Sequence, residues 1–106
     1  MLKRIKRRYL ALEIDSQVPV SSQQFMDSLW KQVTKLYGEY GASRTGLALI
    51  NYDEEKHLTI VRVALQTLDI IKTALASLTA IDNKPAAIHV ITVSGTIKSL
   101  CKKIEK

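Results

Sequence analysis

The sequence has few of the residues that build metal centres and disulfide-linked scaffolds. It contains one cysteine, Cys101, and two histidines, His57 and His89, among its 106 residues. A single cysteine cannot form an internal disulfide, and neither histidine has a cysteine at the spacing of a zinc finger. We therefore expect no metal ion and no cofactor on this chain.

Motifs of enzyme active sites are also missing. The chain has no glycine-rich P-loop and no nucleophile elbow, and no nucleophile is accompanied by a matching base. The acidic residues 53–55 are more typical of a solvated hairpin turn than of a cation site. We therefore expect the chain by itself to have no catalytic activity.

Long apolar segments are missing as well, although the composition is that of a folded protein. No apolar run approaches the roughly 20 residues that span a bilayer. The apolar residues 9–12 are followed by Glu13 and Asp15, so they do not form the core of a secretory signal. Hydrophobic residues make up 46% of the chain, which predicts one folded domain over residues 1–106. With no export signal and no paired cysteines, a cytoplasmic protein is expected.

Positive charge is concentrated at the two ends of the chain. Residues 1–8 carry five cations and no anion, and residues 96–106 carry four lysines and one glutamate. Residues 9–95 carry seven cations and nine anions, so this body is mildly acidic although the whole chain has a net charge of +6. A basic N-terminal arm (1–8) and a basic C-terminal helix (96–106) favour a polyanionic partner such as RNA or DNA. A membrane surface ranks lower, because the arm lacks the apolar face of an interfacial helix.

The periodicity of apolar residues predicts an α+β fold. Alternation predicts strands, whereas spacings of three and four residues predict helices. Ser21 and Gln24 have the spacing of a capping box at the start of the first helix, Gly38 is expected to end that helix, and Thr67 is a candidate cap for the second. The predicted segments are strands at 9–14, 47–52, 57–65 and 87–93, and helices at 22–37, 68–78 and 96–106.

The order of these segments is β-α-β-β-α-β followed by a third helix. This order predicts a ferredoxin-like fold, which RNA-recognition modules share, with two helices on one face of a four-stranded antiparallel sheet. RNA-recognition modules stack bases on aromatic residues of the middle strands, but the third strand here has no aromatic residue. If the chain binds RNA, we expect contacts through backbone charge and helix ends.

The last helix has an apolar stripe and a basic face. Ile97, Leu100, Cys101 and Ile104 share one side, so we expect them to be buried as a lid over the second face of the sheet. Before this helix, residues 94–96 form a break in which Ser94 or Thr96 can cap one amide. The remaining free amides favour an anion. A capped surface helix with a solvated lysine face is the alternative, and both interpretations stay open.

The segment 38–46 is a candidate contact loop. It contains three glycines and one cation, Arg44. Glycines permit backbone conformations that other residues resist. The segment therefore fits a flexible loop that contacts RNA or another subunit, and it fits an ordinary connection between a helix and a strand equally well.

Several segments together resemble the archaeal ribonuclease P protein component 2 family. These are Arg8-Tyr9-Leu10, YGEYGASRTGLALI (37–50), IVRV (60–63) and VITVSGTIKSLCKK (90–103), and the resemblance extends from Lys6 to Lys103. It implies a subunit of the ribonucleoprotein that removes the 5′ leader from precursor tRNA. In that family the ribonuclease P RNA supplies the active site and uses magnesium. The resemblance also implies a TIM-barrel partner, ribonuclease P protein component 3, and the joining of two such pairs into a heterotetramer.

Candidate RNA-binding residues come from the charge pattern and from this resemblance. Seven of them match the family's pattern, namely Arg8, Arg44, Arg62, Ser94, Gly95, Thr96 and Lys98. The full set of candidates is Lys3, Arg4, Lys6, Arg7, Arg8, Arg44, Arg62, Ser94, Gly95, Thr96, Lys98, Lys102 and Lys103. Two other functions compete with the ribonuclease P hypothesis: a protein-interaction subunit of another ribonucleoprotein, and a small ligand-binding ferredoxin-like domain.

Overall fold

The computed structural model describes residues 6–104, so Lys3 and Arg4 of the predicted arm and residues 105–106 of the predicted last helix lie outside it. The described part is an α+β structure with five strands and three α-helices. The strands are β1 (Arg7–Ser16), β2 (Ala48–Asp53), β3 (Leu58–Ala64), β4 (Ala80–Ile81) and β5 (Lys84–Ser94), and the helices are α1 (Ser22–Ser43), α2 (Leu68–Ser77) and α3 (Ile97–Ile104).

All five strands belong to one antiparallel sheet with the order β2-β3-β1-β5-β4. β1 is the central strand and pairs with β3 on one side and with β5 on the other. Tyr9 lies opposite Arg62 of β3 and opposite Ser94 of β5. The beginning of β1 therefore lies at the same end of the sheet as the ends of β3 and β5.

The two faces of β1 bury different clusters. Leu10, Leu12 and Ile14 belong to the main core beneath α1 and α2, while Ala11 packs with Ile60 on the opposite face. Leu10 and Leu12 have no exposed surface. This confirms the predicted alternation, because successive side chains of a strand point to opposite faces of the sheet.

The main core is closed by apolar stripes of α1 and α2. Phe25, Leu29 and Val33 recur at spacings of four along α1 and are fully buried, as is Ile71 on α2. Burying one side chain of this size contributes about 1.5–3 kcal/mol. The ring of Phe25 lies 6.3 Å from that of Tyr52, whose hydroxyl donates a hydrogen bond to the carbonyl of Val20. That contact ties β2 to the loop before α1.

The start of α1 confirms the predicted capping box, and its end corrects the predicted loop. The amide of Gln24 donates to Ser21 Oγ at 3.1 Å, and the amide of Ser21 donates to Gln24 Oε1 at 2.9 Å. Gly38 breaks the helical geometry with φ 76° and ψ 170°, but helical residues resume after it and continue to Ser43. Residues 39–43 of segment 38–46 therefore form a second helical piece and not an open loop, whereas Gly38 and Gly46 take positive φ values of 76° and 60° that do not fit a helix.

The sheet has five strands and not the predicted four. The fifth strand, β4, contains only two residues, and it pairs with the first two residues of β5. Asp82 and Asn83 connect them with φ values of 52° and 65°, the left-handed pair that suits a tight hairpin turn. Lys84 and Pro85 form the start of β5, three residues before the predicted start of that strand, because the turn needs only two residues.

The start of α2 also differs from the expectation. Thr67 makes no side-chain cap. Its hydroxyl instead donates to the carbonyl of Ala64 at 3.0 Å and lies 3.3 Å from the carbonyl of Thr45. A 3-10 turn, Leu65–Thr67, joins β3 to α2 and keeps this hydroxyl buried. Thr67 thus stabilises the junction and not the end of the helix.

α3 covers the second face of the sheet, as predicted, but only part of its apolar stripe is buried. Leu100 is fully buried in a cluster with Ala11 and Ile60, and Ile104 packs against that cluster. Ile97 is 41% exposed and Cys101 is exposed, which contradicts the expectation that both are buried. A short helix that lies on a sheet contacts it along a narrow line, so residues at the margin of the stripe remain in solvent.

Candidate nucleic-acid interface

Five cations gather at one end of the sheet, and we call this region the basic end. β1 begins there, β3 and β5 end there, and α3 starts there. The residues of the basic end are Lys6, Arg7, Arg8, Arg44 and Arg62.

Backbone hydrogen bonds place the segment 44–46, which we call the Arg44 loop, at the basic end. The amide of Ala64 donates to the carbonyl of Thr45 at 2.7 Å, and the amide of Leu65 donates to the carbonyl of Lys6 at 2.8 Å. Thr45 is fully buried, and its hydroxyl donates to the carbonyl of Ala42 at 2.8 Å. The loop is thus held against the end of β3, next to the start of β1.

Arg8 lies against the turn that leads into α3. A Cβ atom added to Gly95 would lie 3.4 Å from Arg8 Nη1, at van der Waals contact, which shows that Gly95 and the guanidinium are neighbours. Nη1 also donates to the carbonyl of Arg7 at 3.0 Å. Two candidates that are 87 positions apart in sequence are therefore neighbours, because β1 and β5 pair at Tyr9 and Ser94.

Arg62 lies in a row across the sheet with Ala48, Tyr9 and Ser94. The side chain is partly buried, and its Nε is buried without a hydrogen bond to any described residue. A buried donor without a partner costs about 1–3 kcal/mol. The planar fork of an arginine guanidinium fits a phosphate group, so Arg62 is a candidate for such a contact through its terminal nitrogens.

The start of α3 is capped by the residues before it. The amide of Ser99 donates to Thr96 Oγ1 at 3.1 Å, and the amide of Thr96 lies 3.5 Å from Ser94 Oγ. Ser94 is only 8% exposed, so in this structure it shapes the turn. The cap satisfies one amide of the first turn of α3, and the positive end of the helix dipole adds to the charge of the basic end.

The lysines of α3 differ in their surroundings. Lys98 and Lys102 are exposed and four positions apart, so they lie on one side of the helix. Lys103 Nζ instead donates to the carbonyl of Val93 at 3.1 Å, which ties α3 to β5. A direct RNA contact remains a prediction for all three residues, and Lys103 would have to share its ammonium group with this carbonyl.

Arg44 carries a contact that the sequence analysis did not anticipate. Its guanidinium lies 5.3 Å from the centre of the Tyr40 ring, and Nη1 donates to the Tyr40 hydroxyl at 2.8 Å. An exposed cation–π pair of this kind contributes about 0.5–1 kcal/mol. Tyr40 is 75% exposed, so the pair presents an aromatic ring and a cation to solvent at the basic end. The spacing of four on a helical segment was the available signal, but the predicted loop concealed it.

Negative charge gathers at the opposite end of the sheet. β1 ends there and the β2–β3 turn lies beside it, as the pairing of Glu13 and Asp53 with Leu58 shows. Asp15, Glu54 and Glu55 are exposed in the same region. The sheet is therefore charged oppositely at its two ends, and a polyanion is attracted to one end and repelled by the other.

The described residues hold no group of three or more histidine, cysteine, aspartate or glutamate side chains that could bind a metal ion. No helix among residues 6–104 is long and apolar enough to cross a membrane. Burial raises the pKa of the Tyr52 hydroxyl above its ordinary value, and the negative charge of Glu54 raises it further.

Comparisons with known proteins identify relatives of this chain. A sequence model of the Rpp14/Pop5 family matches residues 8–105. The chain is 33% identical over 100 residues to ribonuclease P protein component 2 of Methanosarcina barkeri, an alignment that covers 94% of this chain and 73% of that protein. It is 30% identical to the protein of the same name from Thermococcus kodakarensis, with 94% and 83% covered.

The fold also matches a chain in the cryo-EM structure of yeast ribonuclease MRP. The TM-score is 0.74, the sequence identity is 14%, and the match covers 99% of this chain and 95% of that one. At this identity the likeness concerns the fold alone. It shows that this fold recurs in a solved structure.

Proposed function

Because the chain belongs to the Rpp14/Pop5 family, we propose that it acts as a protein subunit of ribonuclease P and that it binds the RNA of that enzyme through its basic end. It takes part in tRNA 5′ maturation as one component of the ribonucleoprotein. The enzyme activity belongs to the complex, and the chain contributes binding and activation.

One observation above all supports the basic end as the RNA-binding surface. Arg8, Arg44 and Arg62 come from three separate segments, and the tertiary structure brings them to the same end of the sheet. Arg62 also carries a buried donor without a partner among the described residues. An RNA backbone supplies several phosphates at regular spacing, which suits a surface of separate guanidinium groups better than one small ligand does.

The contribution of this surface is electrostatic. Arginines that neutralise phosphates release counterions and allow RNA strands to approach one another, so a folded RNA is stabilised at moderate salt. On this proposal the RNA holds the magnesium and performs the cleavage, and the protein supplies cations and donors that hold the RNA in place. For four to six phosphate contacts, the slope of log K against log salt is expected to be about −3 to −4.

We assign the fold to the ferredoxin-like class as part of this proposal. The order β2-β3-β1-β5 and the placement of α1 and α2 on one face support the assignment, with β4 and α3 as additions. The exposed α3 lysines and the Tyr40–Arg44 pair then extend the RNA-binding surface beyond the sheet end. We also propose that the protein works in the cytoplasm.

Protein partners belong to the same proposal. We infer a TIM-barrel partner of the component 3 type, and association of two such pairs into a heterotetramer that acts on precursor tRNA. Several large apolar side chains are exposed, including Trp30, Leu36 and Tyr37 on α1. Exposed apolar residues in a group commonly mark protein–protein contacts, and these three lie on the part of α1 that precedes the break at Gly38.

Reconstitution tests the proposed function. Cleavage of precursor tRNA by an archaeal ribonuclease P RNA would be measured at moderate magnesium with RNA alone, with the component 3 protein added, and with both proteins added. We expect this chain to raise the rate only together with its partner. No increase, with a competent RNA and a folded partner, would contradict the proposal.

Charge-matched variants connect the activity to the basic end. The double variant Arg8→Gln/Arg62→Gln removes two cations there, and Lys31→Gln/Lys35→Gln removes two exposed cations of α1. We expect the first variant to flatten the salt dependence of RNA binding by about 1.4, which is twice the slope for one single-stranded phosphate contact. The second should leave the slope unchanged. Equal effects of the two variants would indicate non-specific attraction.

A further inference from the structure

β5 is a long strand with a mostly uncovered edge. It spans 11 residues and pairs along most of its length with β1. On its other side, the described residues pair with it only at Lys84 and Pro85, through the two-residue β4. Long uncovered edges are uncommon in native proteins because they offer a template for another strand.

The register identifies the backbone groups that point outward from this edge. The amide of Ala86 donates to the carbonyl of Thr79, on the side away from β1. Within a regular antiparallel strand, the N–H and C=O of one residue point to the same side, and alternate residues point to the same neighbour. Ile88 and Val90 therefore also direct their N–H and C=O groups away from β1.

Both ends of this open segment are defined. At one end the Ala86–Thr79 bond occupies the edge. At the other end the register shifts between Thr92 and Val90, which leaves Ile91 as the extra residue of a bulge, and Lys103 occupies the carbonyl of Val93. Bulges and edge lysines are devices that stop strand pairing. The available window is thus residues 87–91.

The side chains at the window are apolar and exposed. Val90 is 38% exposed and Ile91 is 48% exposed. An added strand would place its own side chains beside them, and such cross-strand apolar pairs stabilise a sheet by about 0.2–1 kcal/mol each. The open donors and acceptors therefore lie next to apolar surface that a strand would cover.

Lysines flank the window at both ends, namely Lys84 at the start of β5 and Lys103 at the carbonyl of Val93, while Glu13 and Asp15 of β1 lie opposite His89 and Ala87 on its inner side. Residues 84–104 contain no aspartate or glutamate, whereas Lys84, Lys98, Lys102 and Lys103 lie among them. A second copy of the same edge would set these lysines against one another. RNA would fit poorly, because the outward carbonyls of Ile88 and Val90 repel phosphate oxygens.

We propose that the β5 edge at residues 87–91 is a docking site for an extended, acidic peptide segment of a partner protein, which adds to the sheet as a further strand. The backbone groups of Ile88 and Val90 give up to four main-chain hydrogen bonds, and alternate apolar side chains cover Val90 and Ile91. Acidic residues at the ends of the segment face Lys84 and Lys103. This site is separate from the basic end, and it does not depend on the proposed RNA-binding role.

A designed probe peptide tests the proposal with the full chain. The probe has the sequence Glu-Glu-Val-Thr-Val-Thr-Val-Thr-Glu-Glu, with a fluorescent label at one end. At about 3.3 Å per residue, the six central valine and threonine residues span the window 87–91, and the glutamates extend beyond its two ends. We expect saturable binding by fluorescence anisotropy, and amide shifts at Ile88 and Val90 in NMR spectra of the labelled protein.

Two controls separate strand addition from charge attraction. A peptide with N-methyl groups on alternate amides keeps its charge and cannot pair, so we expect it to bind about tenfold more weakly. Val90→Pro removes an outward donor without breaking the ladder to β1, and it should weaken the unmodified peptide about tenfold as well. Lys31→Gln, on α1, is the matched protein control and should leave peptide binding unchanged.

Three results would overturn the proposal. The first is an absence of saturable peptide binding by folded protein, or equal binding of the N-methylated peptide. The second is displacement of the peptide from Ile88 and Val90 by a 15-residue oligouridylate, which would assign the edge to RNA. The third is concentration-dependent dimerisation that Val90→Pro abolishes, which would assign the edge to a second copy. Each result leaves the reconstituted cleavage assay as an independent test of the proposed function.

Discussion

Replacement of Arg62 by methionine should separate the stability of this protein from its binding of RNA. In the wild type, the buried Nε of Arg62 has no hydrogen-bond partner among the described residues. An unsatisfied buried donor costs about 1–3 kcal/mol, and methionine removes that cost. Methionine also keeps an apolar stem of similar length beside Tyr9 and Ala48, so packing of the stem is retained.

The expected change in the free energy of unfolding follows from two opposing effects. Some stem packing is lost while the desolvation cost of the donor disappears, so the free energy of unfolding should be unchanged or raised by about 1 kcal/mol. RNA binding should weaken about tenfold, because one charge-assisted hydrogen bond to a phosphate is lost. The salt slope should become flatter by about 0.7, the value for one single-stranded phosphate contact.

The assay uses two measurements on the same protein preparations. Urea denaturation gives the free energy of unfolding, and fluorescence anisotropy with an archaeal ribonuclease P RNA at several potassium chloride concentrations gives the affinity and its salt slope. Arg62→Lys keeps the charge but loses the planar fork, and it should fall between methionine and the wild type in affinity. Lys31→Met is the control for loss of one exposed cation away from the basic end.

One pattern of results would refute the reasoning. If Arg62→Met lowers the free energy of unfolding by about 2 kcal/mol and leaves RNA affinity and salt slope unchanged, the guanidinium stabilises the fold and does not contact RNA. Arg62 would then have to be removed from the candidate RNA-binding residues. The remaining basic end would need to account for binding without it.

The other predictions concern the fold that supports the site. Leu100→Ala should lower the free energy of unfolding by about 2–5 kcal/mol in urea denaturation, because Leu100 is fully buried between α3 and the sheet; the same change at exposed Ile97 should cost far less, and equal costs would contradict the described lid. Gly38→Ala should cost about 1–3 kcal/mol, because φ 76° with ψ 170° is accessible essentially to glycine alone; an unchanged urea midpoint would indicate that α1 straightens at little cost. Tyr52→Phe should lower stability by about 1 kcal/mol at pH 7, because it removes the hydrogen bond to Val20. The raised pKa of Tyr52 means that the folded state holds this proton more tightly than the unfolded state, so its stabilisation is complete below pH 10 and is lost as the pH rises through the folded pKa. Urea titrations from pH 7 to 11 should therefore show the wild type losing its advantage over Tyr52→Phe above pH 10, and a constant difference would refute the assignment.

Much of the fold was predictable because local patterns encode it. The alternation of Leu10 and Ala11 in β1 determines which face each side chain covers, and the Ser21–Gln24 capping box marks the start of α1 through its own hydrogen bonds. Both signals act within a few residues. These two signals therefore do not depend on contacts with distant parts of the chain.

The errors occurred where a local pattern had more than one tertiary outcome. The Gly38 break was visible in the sequence, but the return to helical geometry after it was not. Cys101 belongs to the apolar stripe of α3 and still lies in solvent, because the sheet contacts only the line through Leu100 and Ile104. β4 was missed because two residues are too few to show any period.

The sequence by itself determined the composition of the candidate site: a basic arm, an arginine in each of two inner segments, and a lysine-bearing last helix, all on an acidic body. It did so because charge and periodicity are properties of the chain that need no contacts. Only the tertiary structure decided that Arg8 meets Gly95, that the buried Nε of Arg62 has no hydrogen-bond partner within residues 6–104, and that Lys103 is engaged with β5. Those outcomes depend on the pairing of β1 with β3 and β5, which joins residues far apart in the chain and sets the burial of each side chain.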